Sequence, residues 1–438
     1  MAQVAPNPQR QGSRRWPAVV SVLGVLALSF VAGTATMYFH GPSSDFFRRA
    51  FAGAQAWWHN ADGRADASPA DRTRPQVTID QPESTCDGFT LITTNQAPQA
   101  ELVDMSGRIV HRWSVQDEPG NGRSHWERCR IFPNGDLLAL CCRDGAIPYG
   151  HRLVKIDKDS RVLWQFRDNV HHDFDIAEDG RILALAGKAE DDGAEAAPVF
   201  ADALLILSPD GRELQRVSIL KAFRNSPYAL LLPRFTPPHP SVPPDYTGPD
   251  STAPRDVLHA NSVEALRRAH AAKFALFRPG QVLLSLRSPS ALAVLDVDKT
   301  SIVWAAKGAW HAQHDAHFLD TGRLLMFDNL GGASGARVLE YDPVSQAVDW
   351  SWGGDKDARF DSDIRGGVQR LANGNTLVLD SVGRNVFEVT AAKETVWQWS
   401  CPAPTGSEGR PAFNVTGARR YVAQELPFLD GVPRPRTR

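Results

Sequence analysis

The sequence has only five cysteines in 438 residues, Cys86, Cys129, Cys141, Cys142 and Cys401, and no two form a C-x-x-C pair. That spacing excludes a zinc knuckle and a thioredoxin-type motif, and the odd count leaves at least one thiol unpaired. In an oxidising compartment Cys86 and Cys401 are the pair expected to bond, because they flank the first and last strand patterns of the folded region. Also missing are H-E-x-x-H, the G-x-S-x-G nucleophile elbow and the P-loop, which excludes a helix-borne zinc site, an α/β-hydrolase and a phosphate-cradling loop. Charge of one sign is scarce too. A formal net charge of -2 supplies no global basic field, so nucleic acid is not an expected partner.

What is present begins with one long uncharged run. Trp16 to Phe39 covers 24 residues without a charge, about 36 Å as a helix against a hydrocarbon core of roughly 30 Å. Arg10, Arg14 and Arg15 precede it with no acidic residue, so residues 1–15 are expected in the cytoplasm. Residues 16–39 are then a single transmembrane helix in the cell membrane, with the rest on the extracytoplasmic, periplasmic side. A cleaved signal peptide is the competing reading, since "VAGTATM" offers small residues, but the apolar stretch is longer than such peptides use. Residues 40–85 read as a juxtamembrane segment and linker. Within them Arg48, Arg49, Trp57 and Trp58 suit an interfacial helix, or equally an ordinary linker helix.

From residue 86 to 425 two strand patterns alternate, and 426–438 is read as a tail. Short hairpins run through "IFPNGDLLALC", "IAEDGRILALA", "FRPGQVLLSLR", "FLDTGRLLMFDN" and "RLANGNTLVLDS". Longer ones run through "AELVDMSGRIVHRW", "LVKIDKDSRVLWQF", "LLILSPDGRELQRV", "LAVLDVDKTSIVWA", "RVLEYDPVSQAVDW" and "NVFEVTAAKETVWQW". Apolar residues alternate and the turns hold Asn, Asp and Gly, which marks strands rather than helices. The longer pattern occurs six times, mostly 46 to 53 residues apart, a period that fits four-stranded propeller blades. The fold class is therefore all-β, a six-bladed β-propeller preceded by one transmembrane helix. "GFTLITT" near residue 90 is expected to share a blade with the carboxyl-terminal strands and close the ring. Nine prolines in residues 227–254 rule out central strands there and predict a loop over one face. Trp113, Trp164, Trp304, Trp350 and Trp399, at the ends of longer hairpins, are expected to pack between blades.

A propeller gathers the starts of its inner strands around one axis, so residues at matching phase meet in space. His172, His259 and His314 precede short hairpins at comparable points. Arg287 follows one in "LLSLRSPS", where its planar cationic fork suits an oxyanion beside the imidazoles. Three histidines from different blades also suit a metal, which stands as an alternative. Asp173 and Asp315 are read as turn caps or as orienting groups for the adjacent histidines.

The pattern resembles the bacterial arylsulfotransferases, or arylsulfate sulfotransferases, over residues 87 to 425. The resemblance rests on "HHD" at 171–173, "LHANS" at 258–262, "LLSLRS" at 283–288, "AQHDAHFLDTGRLLMFDN" at 312–329 and "GGVQRLANGNTLVLDS" at 366–381. It implies transfer of a sulfuryl group from a phenolic sulfate ester to a phenol, through a sulfohistidine and without a nucleotide donor or other cofactor. By the same resemblance His314 is the nucleophile, while His172, His259 and Arg287 bind sulfate oxygens. His171 and Asn261 are implied as further substrate-binding residues, His171 being the alternative to His172. The insertion between His259 and Arg287 leaves Arg278 as a substitute for Arg287. Two other readings stay open: a non-catalytic propeller for binding or assembly at the membrane, and a quinoprotein-like propeller.

Overall fold

The computed structural model describes residues 76–116, 124–143, 150–190, 198–232, 255–332, 335–354, 360–401 and 413–430. The expected membrane segment, the juxtamembrane helix and nearly all of the proline-rich tract lie outside these residues. Among the described residues no helix is long and apolar enough to cross a membrane.

Six antiparallel sheets surround a common axis, as the repeat spacing predicts. The strands lining that axis are Ser124–Ile131, Val170–Ile176, Ala260–Ala265, His314–Phe318, Gly367–Arg370 and Val415–Tyr421. The first blade pairs Phe89–Thr94, Gln99–Val103 and Ile109–Ser114 with Val415–Tyr421, so the carboxyl-terminal strand closes the ring. "GFTLITT" thus joins the carboxyl terminus as expected, although as the second strand of its blade rather than the innermost.

The turns follow from local chemistry. In the six longer hairpins the residue that reverses the chain is Gly107, Ser160, Gly211, Thr300, Gln346 or Lys393, each with positive φ. Only Gly211 is sterically compelled, because an added Cβ would lie 2.6 Å from the Trp164 ring of the preceding blade. The tryptophans pack between blades as predicted. Trp113 donates its indole N–H to the Gly135 carbonyl at 3.0 Å, and Trp350 donates to Ala391 at 2.9 Å, each in the next blade. Trp399 is buried in a cluster with Val103 and Met105 of the first blade.

Each axial strand has one edge with no strand partner, and its N–H groups need acceptors. Side chains of the preceding blade supply them. Asp173 and Asp175 accept from the Val263 and Ala265 amides at 3.1 and 2.9 Å. Ser262 and Glu264 accept from Ala316 and Phe318 at 3.0 and 2.6 Å, and Asp315 accepts from Val368 at 2.6 Å. Gln369 closes the series reciprocally, accepting from the Arg420 N–H at 2.8 Å and donating to its carbonyl at 3.0 Å. Every second residue takes part because alternate residues of a strand face the same side.

Three expectations need correction. Gln76–Asp80 is not linker: it pairs with Thr395–Ser400 as a fifth, outermost strand of the sixth blade. "QVTID" alternates half-buried and exposed residues, a signal overlooked in a polar neighbourhood. The body also extends past 425, where Leu426 and Leu429 are buried against the first two blades. Finally, Cys86 and Cys401 share an apolar cluster but form no disulfide, and all five thiols are free and buried. Cys86 is held instead by its backbone N–H, which donates to buried Glu388 at 2.6 Å.

Replacing Gln369 with Leu leaves the buried Arg420 amide and carbonyl without their partners across the closing seam. Urea unfolding should show a loss of about 1–3 kcal/mol, larger than for the exposed control Gln346→Leu.

Candidate functional site

Four of the predicted residues converge at the end of the channel where the axial strands begin. The strands are irregular there, with pairing shifts between Ala184 and Ala186, Ala260 and Ser262, and His314 and His317. His172, His259 and Asp315 take left-handed backbone conformations at φ of 58°, 49° and 52°. These are uncommon for residues with a Cβ, and such bulges re-aim side chains that a regular strand would point into the sheet. The His172 and His259 rings lie 4.9 Å apart. The Arg287 N–H donates to the His259 carbonyl at 3.1 Å, which ties the guanidinium-bearing residue to that histidine across a strand pair. The inserted segment leaves this register intact, because it sits at the opposite end of the hairpin, closed by the Leu266 amide on the Gln281 carbonyl at 2.8 Å. Arg278 lies in that segment, exposed, and does not replace Arg287.

His314 is buried, and its protonation pattern can be read from its partners. The Asn329 amide nitrogen donates to the Ser362 and Arg365 carbonyls at 2.7 and 2.8 Å, so its oxygen faces the imidazole. That oxygen lies 2.7 Å from His314 Nδ1, and the Ala312 carbonyl lies 3.1 Å from the same atom. With two acceptors against it, Nδ1 must carry the proton, and Nε2 keeps its lone pair. Burial holds the His314 pKa down at about 3, and the charges of His259, Arg287 and Arg128 add to the effect although Asn329 opposes it. The ring is neutral at physiological pH. These charges also show what surrounds it: a second imidazole and two guanidiniums.

His259 and His171 are each backed by a carboxylate. His259 Nδ1 makes a short hydrogen bond to Asp256. His171 is 1% exposed, and stands between Asp202, whose oxygen lies 3.2 Å from its Nε2, and His172, whose Nδ1 lies 2.8 Å from its Nδ1. His171 is therefore placed behind His172, in the supporting position. Asn261 is committed to the scaffold in the same way, donating to the Gln313 carbonyl at 2.8 Å beside His314. Arg287 has no carboxylate partner among the described residues and is half-buried.

Several groups escaped the sequence reading. Arg128 lies between Asp315 at 2.9 Å and Asp173 at 3.8 Å. It stands as far before Gly135 as Asp173 does before Gly180 and Asp315 before Gly322, so the phase argument could have found it. Asp315, the closer partner, is held well below the usual carboxylate range by Arg128 and His317 against the effect of burial. Burial pushes Asp173 up to about 6, with Arg128 and Arg130 opposing. Asp256, one helical turn's spacing before His259, was legible; Asp202, on the neighbouring strand, left no sequence signal. Among the described residues no group of three or more His, Cys, Asp or Glu side chains is arranged to hold a metal ion.

Depression of the His314 pKa has a consequence for folding. The unfolded chain binds a proton here below about pH 6.5 and the folded chain does not, so stability must fall as pH drops from 6.5 toward 3. At about pH 5 this group should cost about 2 kcal/mol relative to pH 7.5. His314→Gln should remove that increment from the pH dependence of the unfolding free energy.

A family model described as Arylsulfotransferase (ASST) matches residues 129–401. No curated protein matches the sequence. Among solved structures, a protein of unknown function from Bacteroides caccae is 12% identical with a TM-score of 0.46, over 72% of this chain and 93% of that one. Virginiamycin B lyase from Staphylococcus aureus is 10% identical with a TM-score of 0.39, over 74% and 84% of the two chains. Quinohemoprotein alcohol dehydrogenase from Comamonas testosteroni is 11% identical with a TM-score of 0.39, over 68% and 56%.

Proposed function

Because the chain belongs to the arylsulfotransferase family, whose model spans more than half of it, we propose that it moves a sulfuryl group from an aryl sulfate to a phenol through a sulfohistidine at His314. The observation that carries this reading is the fixed tautomer of His314: Asn329 and Ala312 take the Nδ1 proton and leave Nε2 as an uncharged nucleophile. Nε2 forms the bond to sulfur as the sulfur–oxygen bond to the phenol breaks. The ring becomes a sulfonated imidazolium, and the positive charge it gains lies against the Asn329 and Ala312 oxygens.

Arg287 and the His172–His259 pair hold the sulfuryl oxygens, and the departing phenolate takes a proton from His259 or His172. In the second half the same histidine removes a proton from the acceptor phenol, whose oxygen attacks sulfur and restores His314. Asp256 and Asp202 keep those imidazoles oriented, and Asp202 acts on His172 through His171. Neither half-reaction calls for a nucleotide donor or another cofactor. The reaction takes place outside the cytoplasm in this reading, with residues 16–39 as the anchor, supported by their uncharged length and the arginines before them.

Full-length protein should transfer sulfate from 4-nitrophenyl sulfate to phenol with ping-pong kinetics. His314→Ala should reduce the rate at least about 1,000-fold, and Asn329→Leu about 10- to 100-fold. Mass spectrometry of protein quenched with donor alone should find the sulfuryl adduct on the His314 peptide. An unmodified peptide together with full activity in His314→Ala would overturn the assignment, and no transfer by the unaltered chain would leave a binding propeller.

A further inference from the structure

A second set of cations lies at the other end of the channel. Arg130, Arg267, His270, His317 and Arg419 line a cavity of about 180 Å³ with Asp175 and Glu264. From His172 to Asp175, or from His314 to His317, the chain advances three residues of strand, about 10 Å. Arg128 lies between the two ends, two residues before Arg130 on the same face of its strand.

The cavity wall is not electrically balanced. Arg267 is neutralised by Asp175 at 2.6 Å, but its Nη1 is buried without an acceptor. His317 lies 3.4 Å from both Glu264 and Asp315, and these carboxylates raise its pKa to about 10 against the effect of burial, so it is protonated. Arg130 and Arg419 make no ion pair with a carboxylate among the described residues, and Asp173 acts on Arg130 only at longer range. Their guanidiniums stand near the Phe174 and Tyr421 rings at 5.6 and 5.8 Å. Burial and the charge of Arg419 depress the pKa of Arg130, as expected of like charges gathered out of water. Among the lining residues themselves two carboxylates face four cations even with His270 left uncharged, while Asp315 and Asp173 act on His317 and Arg130 from outside the lining. Planar forks with free N–H groups favour tetrahedral oxyanions, and the volume holds one with several waters at about 30 Å³ each.

We propose that this end of the channel is a second oxyanion site, binding inorganic phosphate or sulfate through Arg130, Arg419 and the free Nη1 of Arg267, apart from the His314 site. Binding there does not depend on turnover, so the site stands or falls separately from the reaction assigned above.

The test is isothermal titration of the full chain with inorganic phosphate, and separately with sulfate, at constant ionic strength. Saturable binding should weaken at least about tenfold in Arg130→Gln/Arg419→Gln and persist in Arg287→Met, which disables the other oxyanion-binding end. Glu264→Gln keeps an oxygen for the Phe318 amide while removing a negative charge, and should tighten binding several-fold. That gain cannot come from misfolding, so it decides the matter if the double variant fails to fold. No saturable binding of either anion, binding abolished by Arg287→Met, or unchanged affinity in Glu264→Gln would overturn the proposal.

Discussion

The structure depends on how six axial strands satisfy the edge that faces the neighbouring blade. A strand edge in a closed ring cannot pair with a seventh strand, and water reaches it only along a narrow axis. The solution is to let carboxylate, hydroxyl and amide side chains from one blade accept the amides of the next, as Asp173, Ser262, Asp315 and Gln369 do. This fixes rotation between blades as well as spacing. It also fills the axis with acidic groups, and those groups create the setting in which Arg128 is buried between Asp173 and Asp315.

The same economy explains the site. Strand residues that alternate between a latch and the core have no side chain left to point along the axis, so bulges at the strand starts are required to present His172, His259 and His314. Left-handed backbone at His172, His259 and Asp315 is a local strain, and the rows of inter-blade hydrogen bonds just below it hold it in place. Positioning of His314 then falls to Asn329, itself fastened by two carbonyls of the segment that leads into the sixth blade. Three blades therefore determine one imidazole: its own, the one that bears Asn261, and the one that follows.

What could be read from the chain was whatever repeats along it. The hairpins, their turns and the phase of the histidines recur at blade spacing, so ring closure and the convergence of His172, His259, Arg287 and His314 were legible. The insertion before Arg287 looked disruptive in one dimension and is harmless in three, since it leaves from the far end of a strand pair. Partners that meet radially without repeating, such as Asp202 with His171 or Arg365 with Asn329, leave no periodic trace. Arg128 is the instructive case: it shares the phase of two aspartates but not their chemistry, so a search for like residues passes over it. The Cys86–Cys401 expectation failed for a related reason, because proximity in a core does not impose the geometry of a bond.

Closing the first blade with Val415–Tyr421 makes an early strand of the nascent propeller wait for a late one. Phe89–Thr94 has no inner neighbour until more than 300 residues have followed it, so the contact that completes the ring joins segments far apart in the chain. Contacts so distant in sequence are entropically expensive to form early, and assembly of this kind is slow. Until the last strand arrives, the axis is open along one side, and neither end of the channel has its full set of walls.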